Sequence, residues 1–161
     1  MKQTQLDRHM IAWFKIAECV SRGEKERALG VYRLLSHSFN DEAVARQLEA
    51  DIYLAFGEQE LAILLYHQAM ELYQKSNRLL EAAAVCEHLI TMNMHDISLR
   101  REAIKLYHAL NNVIKAYEHI EKSLDMLTLD HDYALQEFLS MLRGYSEKLH
   151  EYANSYLKGT R

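Results

Sequence analysis

GEKERALGVY, residues 23–32, and GEQELAILLY, residues 57–66, write one pattern, Gly-Glu-x-Glu-x-Ala-x-x-x-Tyr, 34 residues apart. A recurrence at such a period marks a repeated structural unit. Aligning the chain on this echo exposes a wider frame: a medium apolar or aromatic residue, a turn residue four later and an alanine five after that. It occurs as Cys19-Gly23-Ala28, Tyr53-Gly57-Ala62, Tyr73-Asn77-Ala82 and Tyr107-Asn111-Ala116, at intervals of 34, 20 and 34. Each position has a physical job. Gly, or Asn as the next best, takes the left-handed conformation that closes a helix, and alanine lets the following helix approach closely. One turn after each alanine stands a larger residue to fill the groove: Tyr32, Tyr66, Cys86 and Ile120.

Around these frames apolar residues recur at spacings of three and four, and sustained alternation of period two is missing, so the chain reads as all-α. Proline is absent, which leaves Gly, Asn and Asp to stop helices. The breaks predict eight helices, near 6–21, 24–37, 42–56, 58–75, 79–92, 97–110, 113–127 and 131–157. Thr4 and Asp7 form a candidate capping box for the first, Asp41 and Asp96 are candidate N-caps, and Asp130-His131-Asp132 opens the last. Connections of a few residues between consecutive helices predict antiparallel neighbours in a single domain spanning 1–161.

With Ala-x-x-x-aromatic in the second helix and an aromatic late in the first, residues 8–127 resemble the tetratricopeptide repeat (TPR), a unit of 34 residues of helix-turn-helix. Residues 95–127 also look like the TPR-type module beside DNA-binding domains in bacterial transcriptional activators, and only the fold is taken from that likeness. The early Trp and the closing Pro of the repeat are missing; Ala12 and Arg46 stand where the Trp belongs. The interval of 20 shifts the frame by half a unit, through a shared helix or an insertion. The resemblance implies a right-handed superhelix of about eight antiparallel helices. Residues 131–157 then form a long capping helix. In that helix Leu135, Phe138, Leu142, Tyr145, Leu149, Tyr152 and Tyr156 step by three and four. This seam suits either a cap or a homodimer contact through the C-terminal helix.

Composition bounds the function. Of 161 residues 49% are hydrophobic and 26% charged, with a formal net charge of -4, an ordinary globular balance without the basic field that nucleic acid or an anionic membrane would require. No run of apolar residues is long enough to span a bilayer and the N-terminus lacks a signal-peptide pattern, so no membrane insertion and a cytoplasmic location are expected. Cys19 and Cys86 sit in apolar helical patterns and read as buried structural thiols.

Chemistry is scarcely written. The five glycines are scattered, so there is no phosphate loop or dinucleotide fingerprint, and neither Gly-x-Ser-x-Gly nor His-Glu-x-x-His occurs. Glu147 and His150 share a helical face, but a di-iron bundle needs a second such pair and two more glutamates. His37, His67, His88, His95, His108, His119 and His131 read as surface residues. No enzyme activity, metal or cofactor is expected.

What remains is binding surface. The TPR resemblance implies a concave groove, lined by the first helices of each unit, that receives a peptide or helix of another protein. By position it would present Trp13 and Ala17, then Gln47, Asp51 and Leu54, then Arg101, Lys105 and His108. Trp13 and Ala17 replace the Lys and Asn of the carboxylate clamp of the family, so that clamp is not implied. Arg101 and Lys105 either meet an acidic partner or bond Glu102 and Glu118 in water. The expected function is a non-enzymatic interaction scaffold. The alternatives are a cytoplasmic chaperone of a bacterial secretion system and, more remotely, a metal-dependent helical-bundle enzyme.

Overall fold

The computed structural model describes residues 2–37, 39–127 and 132–159, with the side chains of residues 2–10 and 132 outside that description. Every regular element among them is an α-helix: α1 (Lys2–Ser21), α2 (Lys25–Ser36), α3 (Glu42–Ala55), α4 (Gln59–Lys75), α5 (Leu79–Met92), α6 (Ile97–Ala109), α7 (Val113–Leu127), α8 (Asp132–Tyr145) and α9 (Glu147–Gly159). The helices gather into two compact units, Met1–Arg78 and Leu79–Arg161.

The four turn positions of the frame all carry positive φ: 72° at Gly23, 79° at Gly57, 58° at Asn77 and 56° at Asn111. Each closes its helix in the same way. The amide after the turn residue reaches back to the carbonyl that opens the frame, Glu24 N to Cys19 O at 2.8 Å, Glu58 N to Tyr53 O at 2.9 Å, Arg78 N to Tyr73 O at 2.8 Å and Asn112 N to Tyr107 O at 2.8 Å. This is the double-bonded Schellman end, which satisfies carbonyls the helix would otherwise leave open. Ala28, Ala62, Ala82 and Ala116, five residues on, are all fully buried, and the larger residues one turn further are buried too.

A second kind of junction relies on aspartate. The Asp41 side chain accepts from Val44 N at 3.2 Å, and that of Asp96 accepts from Ser98 N at 2.8 Å and Leu99 N at 3.2 Å. In chain order the turns run glycine, aspartate, glycine, asparagine, aspartate, asparagine. The interval of 20 follows from that order, because the single helix α4, rather than a helix pair, separates two left-handed turns.

In the first unit Ile16, Cys19, Leu29, Tyr32, Leu35, Leu48 and Ile52 join α1, α2 and α3 in one core cluster. α3 and α4 form the most extensive pairing of the unit. Fully buried Ala50, Ala62 and Ala69 let their backbones close up. In the second unit Cys86 and Leu89 of α5, Ile104 of α6, and Ile120 and Leu124 of α7 are buried.

Three expectations need correction. First, α1 starts at Lys2, so Thr4 lies inside the helix and not at its cap; the side chains of Thr4 and Asp7, and the Asp130-His131 opening, fall outside the described residues. Second, the long C-terminal helix is two helices broken at Ser146. Gly144 weakens the helix there, and Ser146 O accepts from Leu149 N at 3.1 Å and His150 N at 3.2 Å, as the residue before a new helix does. Third, the heptad seam is not laid out along one surface. Leu135, Phe138, Leu142 and Leu149 are buried inside the unit, whereas Tyr145 is exposed.

Within the second unit, side-chain pairs orient α8 and α9 against α6 and α7. Arg101 and Lys105 of α6 meet Glu137 and Tyr145 of α8 in the same order. Tyr117, Glu121 and Asp125 of α7 meet Tyr152, Tyr152 and Tyr156 of α9. Thus α8 follows the direction of α6 and α9 that of α7. No helix among the described residues is long and apolar enough to cross a membrane.

Candidate functional site

In the first unit the predicted binding residues come from α1 and α3. Trp13 stands on α1 with 43% of its surface exposed, and Ala17, one turn on, is exposed beside it. Gln47, Asp51 and Leu54 follow one stripe of α3, because steps of four and three return to one helical face. The structure engages two of these within the hairpin: Tyr73 of α4 donates to Gln47 Oε1 at 2.8 Å, and Tyr66 donates to Asp51 Oδ1. Burial and then the Asp51 carboxylate raise the Tyr66 hydroxyl above its usual range, so it stays a donor at neutral pH. Asp51 keeps an exposed edge and Leu54 is half-buried.

Across the same unit Tyr32 of α2 donates to Glu49 Oε2 at 3.1 Å, and Arg46 Nη1 donates to that oxygen at 3.1 Å. Burial, then Glu49, pushes the Tyr32 hydroxyl up to about 12. These residues border an open cleft of about 420 Å³ that also takes in Ser36, Phe39 and Glu42.

In the second unit Arg101, Lys105 and His108 form one stripe of α6, and α8 lies along it. Arg101 Nη1 is 3.1 Å from Glu137 Oε1 and its guanidinium lies 5.9 Å from the Phe138 ring centre. Lys105 Nζ is 3.0 Å from Glu102 Oε2 and 5.7 Å from the Tyr145 ring centre. Lys105 therefore bonds Glu102 as the solvated alternative expected. Arg101 instead finds an acid on α8, and Glu118 is taken by Lys115 at 2.7 Å. With 27% and 56% of their side chains exposed, the Arg101 and Glu137 partners contribute at most about 1 kcal/mol. His108 is half-buried.

One polar cluster was not foreseen. His119, expected at the surface, is only 2% exposed. Its Nε2 lies 3.0 Å from Glu87 Oε1 of α5, which also accepts from Tyr107 of α6 at 2.9 Å. The His119 and Tyr107 rings stack with centres 5.7 Å apart. An ionised carboxylate can only accept, so Nε2 carries the hydrogen, and Nδ1 is left buried with no partner. Burial holds the imidazole below its ordinary pKa against the pull of Glu87, with the Arg100 charge adding to the effect. Burial would raise the Glu87 carboxyl, but its hydrogen bonds with His119 and Tyr107 outweigh that and lower it. The signal was present: His119 falls three residues after Ala116 and four before Ser123, on the buried face of α7.

A related motif recurs on α9. Tyr152 donates to Glu121, Tyr156 donates to Asp125 at 2.9 Å, and the Tyr152 ring stacks on Tyr117 with centres 3.5 Å apart. Two tyrosines four apart thus meet two acids four apart. Sequence reasoning had no means of pairing them without knowing that α9 follows α7.

The Cys86 thiol offers no nucleophile at neutral pH. Burial, then the neighbouring acids, pushes Cys86 up to about 12, and its sulfur lies 3.4 Å from Leu99 O. Glu147 and His150 stand 3.6 Å apart on α9. Among the described residues no group of three or more His, Cys, Asp or Glu is placed to hold a metal ion.

No family model matches the chain, and no curated protein does. Among solved structures, one described as "MamA RS-1 ArsTM double mutant" is similar over 94% of this chain and 92% of that chain, at 14% identity and a TM-score of 0.38.

Proposed function

We propose that this protein is a non-enzymatic interaction scaffold, a TPR-like array that holds a peptide or helix of another protein. The observation that carries the reading is the fourfold recurrence of one helix-closing turn, each with its alanine buried. Side chains, not the fold, determine what is bound. The first helices of the hairpins leave some outward: Trp13, Asp51 and, half-buried, Leu54 and His108. Exposed tryptophan is a common anchor of protein interfaces, since one rigid side chain covers a large apolar area. A net charge of -4 disfavours nucleic acid as the partner, and a cytoplasmic location fits the reading.

The test is affinity capture from the native host with quantitative mass spectrometry, comparing the wild type with Trp13→Ala and with Arg101→Glu. A saturable protein partner that Trp13→Ala depletes at least tenfold is expected. Recovery of no protein above background, or equal recovery with every variant, would contradict the proposal.

A further inference from the structure

Buried polar atoms almost always find partners. Among the described residues three buried side-chain nitrogens have none: Arg100 Nε, Arg101 Nε and His119 Nδ1. Of these His119 Nδ1 alone can take up a proton near neutral pH. His119 is also the one buried histidine among the described residues; His37, His88 and His95 are exposed, and His67, His108 and His150 are half-buried. Its ring is held by two other helices. Nε2 donates to Glu87 Oε1 of α5, while Tyr107 of α6 stacks on the ring and donates to that same oxygen.

The ionisable groups that act on this ring are Glu87 from α5, Tyr107 and Arg100 from α6, and Glu118 and Lys122 of its own helix. None serves Nδ1. Glu87 is engaged on the Nε2 side, Glu118 pairs with Lys115 at 2.7 Å, and Arg100, itself buried, is a cation. A second proton therefore puts an N–H where no acceptor stands and a charge in a core that already holds Arg100, and both are costly. On the same face of α7, Ala116, Ile120, Ser123 and Leu124 are fully buried, so the ring gains water only when α7 itself moves. We infer that His119 is an acid-operated latch of the second unit: below neutral pH, a proton at Nδ1 releases α7 from α5 and α6 while the first unit stays packed. Among the described residues the first unit has no buried histidine to respond. The opening is partial and confined to one unit, which a loss of overall stability alone does not require. The inference does not depend on the interaction reading.

The test is amide hydrogen exchange of the full chain, followed by mass spectrometry at pH 7.5 and 5.5 and corrected for the intrinsic pH dependence of exchange. Amides of α5, α6 and α7 are expected to exchange about tenfold faster or more at the lower pH, and those of α3 and α4 to change less than about twofold. His119→Gln keeps a donor for Glu87 and takes no second proton, so it should hold α5 to α7 protected at pH 5.5. His95→Gln, at an exposed position, should behave as the wild type. Nitrogen-15 NMR of the wild-type imidazoles tests the same point without a variant: at pH 7.5 His119 should carry its hydrogen on Nε2, and the ring should charge in step with the loss of protection. Equal acceleration in both units, unchanged protection of α5 to α7 at pH 5.5, or the same acceleration in His119→Gln as in the wild type overturns the inference. A charged His119 ring inside a fully protected second unit overturns it too.

Discussion

A residue at positive φ is chosen by its backbone before its side chain matters. At Gly57, φ is 79° and a Cβ would meet nothing within 4 Å. Any cost of substitution there is therefore conformational and not steric. Gly57→Ala should lower stability by about 1 kcal/mol, and Gly57→Asn by less, because Asn already holds this geometry at 77 and 111. Urea midpoints in the order Gly, Asn, Ala check this; equal midpoints would show the turn to be relaxed. The alanines are governed by the opposite constraint. Ala28→Leu and Ala62→Leu force bulk into fully buried positions and should each cost about 1–3 kcal/mol, read from the same midpoints. These sites were legible from sequence because few residue types tolerate either role. The burial of His119 was legible from its place on the apolar face of α7, whereas its partner Glu87, on another helix, was not.

Between helices the recurring device is a tyrosine or imidazole aimed at a carboxylate. Tyr156→Phe removes the bond to Asp125, which is 2.9 Å long and exposed, and should lower the urea midpoint only slightly. A double-mutant cycle with Asp125→Asn isolates the pair from the packing of the ring. The cluster of α5, α6 and α7 gives a pH dependence. His119 sits below its unfolded value of 6.5, so the folded chain favours the neutral ring. Its contribution is full above that value and is lost as pH falls below it toward the folded pKa. Glu87, held below 4.5, keeps its contribution at neutral pH and loses it only in stronger acid. The wild-type urea midpoint should therefore drop between pH 7.5 and 5.5. His119→Gln, which still donates to Glu87 but does not titrate, should flatten that drop; identical pH profiles would refute the assignment.

The break at Ser146 shows why an element can be misread. Apolar residues keep their steps of three and four across it because α8 and α9 both bury a face. Periodicity reports burial and not continuity, so the regular spacing carried no mark of the break at Ser146. The α8 helix also changes the site, since it brings Glu137 and Phe138 to Arg101, for which an acidic partner and a solvated pair with Glu102 or Glu118 were the two alternatives.

At the scale of the molecule, the turns and packing alanines account for the helices, whereas the partner is not written in them. Of the predicted binding residues, Gln47, Asp51, Arg101 and Lys105 are engaged within their own units. That leaves Trp13 as the clearest outward anchor on the first helices. The central claim, that the chain works by holding another protein, is tested most directly by native mass spectrometry of material purified gently from its host. The account predicts a species heavier than the 18.9 kDa chain by the mass of a second polypeptide, reduced in Trp13→Ala. The bare chain carrying stoichiometric iron or manganese, with no second polypeptide, would contradict it.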